Sequence, residues 1–291
     1  MIADLHLHTN CSDGKHSVVD TVKIAKEKGL SVLSITDHDS LEGVKDAIEI
    51  SHSLGMNCIS GLEMSCRNEN KDVDFRQDTS IHILAYNIDY ENTALKSYIK
   101  HYHLERKKIL LSLIDELAES GLEEKYDDIF VIAGTQMRIQ DIINHLNSSF
   151  LRKEKKEKLI NIAEGYYNKL FALDAPLSEA TKLIKDAGGF SVLAHAFFSY
   201  RDYDIITKTH HNVSDLLDYL CELGLDGLEV FYSRFSQKKT EWLLTEAKKR
   251  DLLVTAGSDF HGTPQRKDII NSEIAEIRET IHTLLNTNRY V

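Results

Sequence analysis

The run Met1-Ile2-Ala3-Asp4-Leu5-His6-Leu7-His8 opens the chain with the alternation of a β-strand. The period of two along a strand sets His6 and His8 on one face, where both can reach the same ion. Outward from it, Val18 to Lys28 has the pattern of a helix ended by Gly29. Ser31 to Thr36 then reads as a second strand that delivers Asp37-His38-Asp39 at its C-terminal end. Leu41 to Leu54 reads as the next helix with Gly55 as its stop, Asn57 to Ser65 as a third strand carrying Glu63, and Ile81 to Tyr86 as a fourth with His82 near its start. Strand and helix in alternation are the rhythm of parallel βα units.

The rhythm breaks from about Glu91 to Ser178, where the pattern is mostly helical and includes Leu95 to Ser120. The charge-rich run Arg152-Lys153-Glu154-Lys155-Lys156-Glu157-Lys158 has acidic residues interleaved, which suits a solvated helix face better than a nucleic-acid contact. After Pro176 the alternation resumes: helix Ser178 to Ala187, strand Phe190 to His195, helix Ser214 to Leu223, strand Gly227 to Phe231, helix Ser236 to Arg250, strand Leu252 to Ala256. The expected organisation is a barrel built from residues 1–91 and 179–291, with a helical insertion over 92–178 acting as a cap beside the active site.

With 291 residues, 42% of them hydrophobic, the chain can bury a substantial core. A formal net charge of −11 speaks against a long nucleic-acid duplex as partner and leaves small phosphorylated substrates compatible. Cys11, Cys58, Cys66 and Cys221 show no framework spacing, and there is neither an apolar leader nor an 18-residue apolar run. These features predict a cytoplasmic protein without a membrane partner.

The pairing of ligand-type side chains two apart returns near the other end, in Gly257-Ser258-Asp259-Phe260-His261. A lone buried histidine is ordinarily a satisfied core residue; two strands that each carry such a pair are harder to explain that way. With Asp13 in the loop after the first strand, and with His38, Glu63, His82 and His195, the candidate ligands are nine. Active sites of parallel β/α barrels lie at the C-terminal ends of the strands; His38, Glu63, His195, Asp259 and His261 meet that rule, and His82, which opens its segment, fits it less well. Imidazoles mixed with carboxylates suit Zn, Mn or Fe, and the lack of a Cys-x-x-Cys pair argues against a closed structural zinc site. Asp37 is placed to hold an imidazole from behind, and Asp4 reads as a buried polar strand residue. His16, His52, His101, His103, His145, His282 and the pair His210-His211, in a loop after the His195 strand, read as surface residues. Phe197, Phe198, Tyr200, Phe231 and Tyr232 read as core or rim packing rather than as stacking platforms.

His6-Leu7-His8-Thr9-Asn10-Cys11-Ser12-Asp13, Thr36-Asp37-His38-Asp39, Gly61-Leu62-Glu63, the His82 strand, Leu193-Ala194-His195 and Gly257-Ser258-Asp259-Phe260-His261-Gly262 resemble the motifs of the PHP (polymerase and histidinol phosphatase) superfamily. Within it the chain is most similar to the nucleoside 3′,5′-bisphosphate phosphatases and related 5′→3′ oligoribonucleases. The resemblance implies an α/β fold, a distorted (β/α)7 TIM-like barrel with an inserted helical subdomain. It implies a site of two to three divalent ions (Mn, Fe or Zn) held by His6, His8, Asp13, His38, Glu63, His82, His195, Asp259 and His261. His6, His8, Glu63 and Asp259 would serve mainly one ion and the rest the others. The implied activity is that of a metal-dependent phosphoesterase, in which a metal-bound hydroxide hydrolyses phosphate monoesters of small, nucleotide-like molecules. The alternatives are a 5′→3′ exonuclease on short oligonucleotides, a histidinol-phosphate-type phosphatase, or a non-catalytic metal-binding module.

Asp13, His195, Arg201 and Arg234 are candidates for positioning the substrate, the arginines because guanidinium presents a planar donor fork to phosphate; Arg138 is a weaker one. Two stretches depart from the relatives. They show His-Pro followed closely by Arg where this chain has His195-Ala196-Phe197-Phe198-Ser199-Tyr200-Arg201, and an Arg-Pro-His-like motif where it has Thr135-Gln136-Met137-Arg138-Ile139. The substrate-recognition shell is therefore expected to differ from theirs.

Overall fold

Strand β1 (Ala3–Leu7) is buried along its whole length, as is β2 (Val32–Ile35), the condition of a strand covered on both faces. The structure is a computed structural model, and it describes residues 2–73, 80–122, 138–197, 206–262 and 275–287, with 206–212 described by their backbone alone. β1 pairs in parallel with β2, and β2 with the short β3 (Asn57–Cys58). Helix α1 (Val18–Glu27) makes the first crossover. Its start is fixed by Ser17, whose side chain accepts from the Asp20 amide. Val22 and Ala25 of α1 and Ala47 and Ile48 of α2 (Val44–Ser53) close one core over Leu33 and Ile35.

The single strand expected over 57–65 is two, since the chain breaks after β3 at Ile59-Ser60 and restarts as β4 (Gly61–Arg67). The crossing is tight: a Cβ at Gly61 would stand 2.2 Å from Ser34 Oγ and 2.9 Å from the Ile35 carbonyl. β4 thereby leaves the first sheet and enters a second, ordered β6 (Ala175–Pro176), β4, β5 (Ile81–Tyr86), β7 (Phe190–Leu193), β8 (Gly227–Tyr232), β9 (Leu253–Gly257). β7, β8 and β9 run parallel, but β5 is antiparallel to both β4 and β7. That corrects the expectation of parallel units throughout. It also explains His82: in a reversed strand the first residues lie at the end where the neighbouring strands finish, and the His82 carbonyl accepts from Ala194 N at 3.0 Å.

Among the described residues the strands form two sheets that meet at two isolated bridges, Leu7 with Phe260 and His38 with Glu63. At the first, His8 N donates to Phe260 O (3.0 Å) and Asp259 N to His6 O (2.9 Å); at the second, Asp39 N donates to Glu63 O (2.9 Å). Both seams thus fall on candidate ligands.

Chain topology divides the protein into two compact units, residues 1–96 with 175–291, and 97–174. The first also holds α7 (Leu177–Asp186), α8 (Ile206–Glu222), α9 (Gln237–Lys249) and α10 (Ala275–Thr287). α8 starts well before the expected Ser214, so His210 and His211 belong to a helix rather than a loop. α10, whose bounds were not predicted, turns Ile277, Ile281 and Leu284 inward, and its Thr280 Oγ1 accepts from Val254 N of β9. The second unit contains most of α3 (Thr93–Glu119) with α4 (Ile139–Ser148), α5 (Lys153–Gly165) and α6 (Tyr167–Phe171). It has its own core, including Leu113, Leu117, Ile142, Leu146 and Leu159.

Candidate metal centre

Glu63, fully buried on β4, is the hub of the site. Its Oε2 lies 3.1 Å from His6 Nε2, 3.1 Å from His8 Nε2 and 3.3 Å from His38 Nδ1. Its Oε1 lies 2.9 Å from His82 Nδ1 and 3.0 Å from His195 Nε2. Five imidazoles from four chain segments converge on one carboxylate. Asp259 Oδ1 stands 3.2 Å from His8 Nε2 and 3.4 Å from His261 Nδ1, and Asp13 Oδ1 stands 3.0 Å from His261 Nε2. The ligand-type atoms fall into three groupings: His6, His8, Glu63 and Asp259; His8, Asp13, His38 and His261; and His38, Glu63 and His82, with atoms in each within 4.8 Å of one another. His195 joins through Glu63. All nine residues singled out in the sequence are brought together.

The electrostatics show what this arrangement demands. Burial pushes the Glu63 carboxyl up, but the charges of His38, His6 and His82 and the hydrogen bond from His195 overcome it and hold Glu63 well below the usual carboxylate range. Asp13 and Asp259 are held low in the same way, against their own burial, by His38 and His261 for the first and by His8 and His6 for the second. Burial lowers the His8 imidazole, yet Asp259 and Glu63 outweigh it and raise His8 to about 10; His38 is depressed by burial to about 3, despite Glu63 and Asp13. Three ionised carboxylates in a buried pocket require positive charge, supplied either by protons on imidazoles or by cations. Neither ring nitrogen of the fully buried His8 makes a regular hydrogen bond among the described residues, although Nε2 lies 3.1 Å from Glu63 Oε2 and 3.2 Å from Asp259 Oδ1. A divalent cation would supply the positive charge that a proton on His8 otherwise supplies in this carboxylate-rich pocket.

Two of the nine clustered residues have left-handed backbone, His195 at φ 26° and Asp259 at φ 56°. Side chains pay conformational strain there of about 1–3 kcal/mol each, and such strain gathers at functional sites. The residues behind the ligands were only partly legible. Asp37 does not hold an imidazole: its carboxylate accepts from Thr9 N (2.7 Å), Thr9 Oγ1 (2.6 Å) and Ser12 Oγ (2.5 Å), so it ties down the loop that carries Asp13. Asp4 is buried, as expected, and accepts from Ser258 N and His6 N. Tyr232, read as packing, donates to Asp259 Oδ2 at 2.8 Å. Glu229, which shares in the family resemblance but has no role in the sequence reading, contacts His6 Nδ1 and His195 N. The signal was there, since Glu229 is a lone carboxylate inside the apolar run Leu228 to Phe231.

Of the candidate phosphate clamps, Arg234 is exposed on the turn after β8. Arg201 lies outside the described residues, as do Phe198, Tyr200 and the segment 135–137. Arg138 is engaged elsewhere, with Nε and Nη2 on the two oxygens of Asp141 at the start of α4.

A mixed α/β scaffold with imidazoles and carboxylates gathered at strand ends is the arrangement of a metal-dependent phosphoesterase, and the relatives bear out that class of hydrolase. Residues 4–287 match the PHP domain family, and the chain belongs to it. It is 26% identical to a 5′-3′ exoribonuclease of Haemophilus influenzae over 89% of this chain and 89% of that one. It is 27% identical to a phosphoribosyl 1,2-cyclic phosphate 1,2-diphosphodiesterase of Eggerthella lenta, covering 90% of this chain and 95% of that one. A 3′,5′-nucleoside bisphosphate phosphatase of Chromobacterium violaceum is 25% identical, with 89% and 86% covered. Among solved structures, a protein of Bifidobacterium adolescentis assigned as a metal-dependent phosphoesterase superposes with a TM-score of 0.72 at 27% identity, over 98% of this chain and 96% of that one. Among the described residues, no helix is long and apolar enough to cross a membrane.

Proposed function

We propose that this chain hydrolyses phosphate monoesters of small, nucleotide-like molecules, using two to three divalent ions (Mn, Fe or Zn) held by the nine clustered residues. The convergence of five imidazoles on the two oxygens of Glu63 supports this reading most strongly. His6, His8, Glu63 and Asp259 would hold one ion, Asp13, His38 and His261 with His8 a second, and His82 and His195 with Glu63 a third. When bound, such ions polarise phosphoryl oxygens and lower the pKa of water to near neutrality. The chain's own part is to hold the ligands in register, to keep Asp13 and His195 at the substrate's edge, and to clamp phosphate with Arg234 and Arg201. In this reading the two sheets make a distorted (β/α)7-type barrel closed at its two seams.

The substrate class follows from charge and from the relatives. Those named above act on RNA, on a phosphoribosyl cyclic phosphate and on nucleoside bisphosphates, so a phosphorylated ribose is their common chemistry. A net charge of −11 disfavours long polyanions, whose phosphates would meet like charge beyond the pocket. Stepwise 5′→3′ trimming of short oligonucleotides is the second reading, favoured by the exoribonuclease relative. Among the described residues the four cysteines form no disulfide, which suits a cytoplasmic enzyme. Phosphate release by the Mn-loaded protein, compared across nucleoside 3′,5′-bisphosphates, ribose phosphates, histidinol phosphate and short RNA, tests the proposal. The expected order places the nucleoside bisphosphates first. Release from none of the small esters contradicts it, and efficient degradation of long RNA replaces it with a nuclease.

A further inference from the structure

β7 leads into His195 and β9 into Asp259, whereas β8, which lies between them in the sheet, contributes none of the nine clustered residues. It contributes Glu229 and Tyr232, both buried. Glu229 uses both oxygens: Oε1 lies 2.9 Å from His6 Nδ1, and Oε2 accepts from His195 N at 2.8 Å. A carboxylate only accepts, so Glu229 holds a hydrogen on His6 Nδ1, and Nε2, which contacts Glu63 Oε2 at 3.1 Å and faces Asp259, is the nitrogen where an ion would replace a proton. The second contact anchors the left-handed backbone of His195. Tyr232 donates to Asp259 Oδ2 at 2.8 Å and so leaves Oδ1 as the oxygen aimed at His6, His8 and His261.

Residues three apart on a regular strand point to opposite faces. Glu229 and Tyr232 nevertheless serve the same site, because β8 carries an extra residue. Glu229 pairs with Thr255 and Phe231 with Ala256, so β8 advances two positions while β9 advances one. A β-bulge of this kind re-aims the side chains that follow it; Phe231 is turned partly outward and Tyr232 inward. The fit around Glu229 also excludes any side chain at Gly257, where a Cβ would come 2.2 Å from His6 Cβ and 2.5 Å from Glu229 Oε1.

We infer that β8 is a positioning strand: its bulge aligns Glu229 and Tyr232 so that they select which atoms of His6 and Asp259 face the cluster and hold His195 in place. The inference rests on the metal reading of the cluster. Glu229→Gln is the informative variant, since an amide of the same size has one acceptor for two donors. Groups behind metal ligands typically govern affinity by about 10–100-fold. Titration of the full-length metal-free chain with Mn2+, alongside thermal melts of the same metal-free samples, is expected to show Mn2+ affinity reduced about 10–100-fold in Glu229→Gln. A smaller loss is expected in Tyr232→Phe, with the metal-free melting temperature of both close to wild type. A scaffold role would lower the metal-free melting temperature and spare the affinity. Wild-type Mn2+ affinity in either folded variant overturns the inference and leaves the metal reading intact. Failure of both variants to fold without metal makes β8 a structural strand and overturns it too. A wild-type chain that takes up no Mn2+ overturns the metal reading and this inference together.

Discussion

At the scale of single residues the site is a balance of buried charges, and that balance has a pH signature. In the metal-free chain His8, raised to about 10 from an ordinary value near 6.5, contributes stability that is complete below pH 6.5 and is lost as pH rises through 10. Glu63, Asp13 and Asp259, all held low, contribute stability that is present above their ordinary range near 4 and is lost as pH falls below it. Urea midpoints of the metal-free protein therefore describe a dome that falls on both sides, and a midpoint that keeps rising from pH 8 to 10.5 contradicts the His8 assignment. Metal displaces the same protons, so Mn2+ uptake releases protons and strengthens with pH. Asp37 gives a second prediction. Replacing it with Asn leaves Thr9 and Ser12 donors facing an amide, a cost of about 1–3 kcal/mol, visible as a lower unfolding midpoint; an unchanged midpoint refutes the loop-tying role. Its misreading in the sequence has a simple cause, because Asp37 adjoins His38 along an extended segment and neighbours there point to opposite sides. The nine ligand-type residues were legible for the same periodic reason, as i, i+2 pairs and strand ends. The second row was not, since which carboxylate stands behind which imidazole depends on contacts between distant strands.

Among the elements, the reversed β5 and the bulged β8 are what the sequence could not supply. Alternation in Ile81 to Tyr86 marks a strand but carries no direction, and only the odd placement of His82 hinted at the reversal. The extra residue in β8 leaves no trace either, because Glu-Val-Phe-Tyr reads equally well as a regular strand. Boundaries of α1, β5, α7 and α9 were readable to within about a residue, their ends being set by local signals such as the Ser17 and Ser236 caps. The close passage of β9 against β1 yields a prediction at this scale. Gly257→Ala drives a methyl into His6 and Glu229, and overpacking of this kind costs about 1–3 kcal/mol. The variant is expected to melt earlier and to bind Mn2+ more weakly, whereas wild-type melting would mean that β1 and β9 can move apart at no cost.

For the molecule as a whole, chain order and architecture answer each other. The first unit is assembled from both ends of the sequence, residues 1–96 and 175–291. The candidate ligands follow the same division: His6 to His82 come from the first segment, and His195, Asp259 and His261 from the second. The site therefore forms only when the two segments have folded together, and its metal load reports on the whole fold as well as on local chemistry. Elemental analysis of the full-length protein after reconstitution with Mn2+ and removal of loose metal tests the multinuclear centre most directly. Two to three ions per chain are expected, falling in Asp259→Ala along with activity; at most one ion in the wild-type protein contradicts a multinuclear centre.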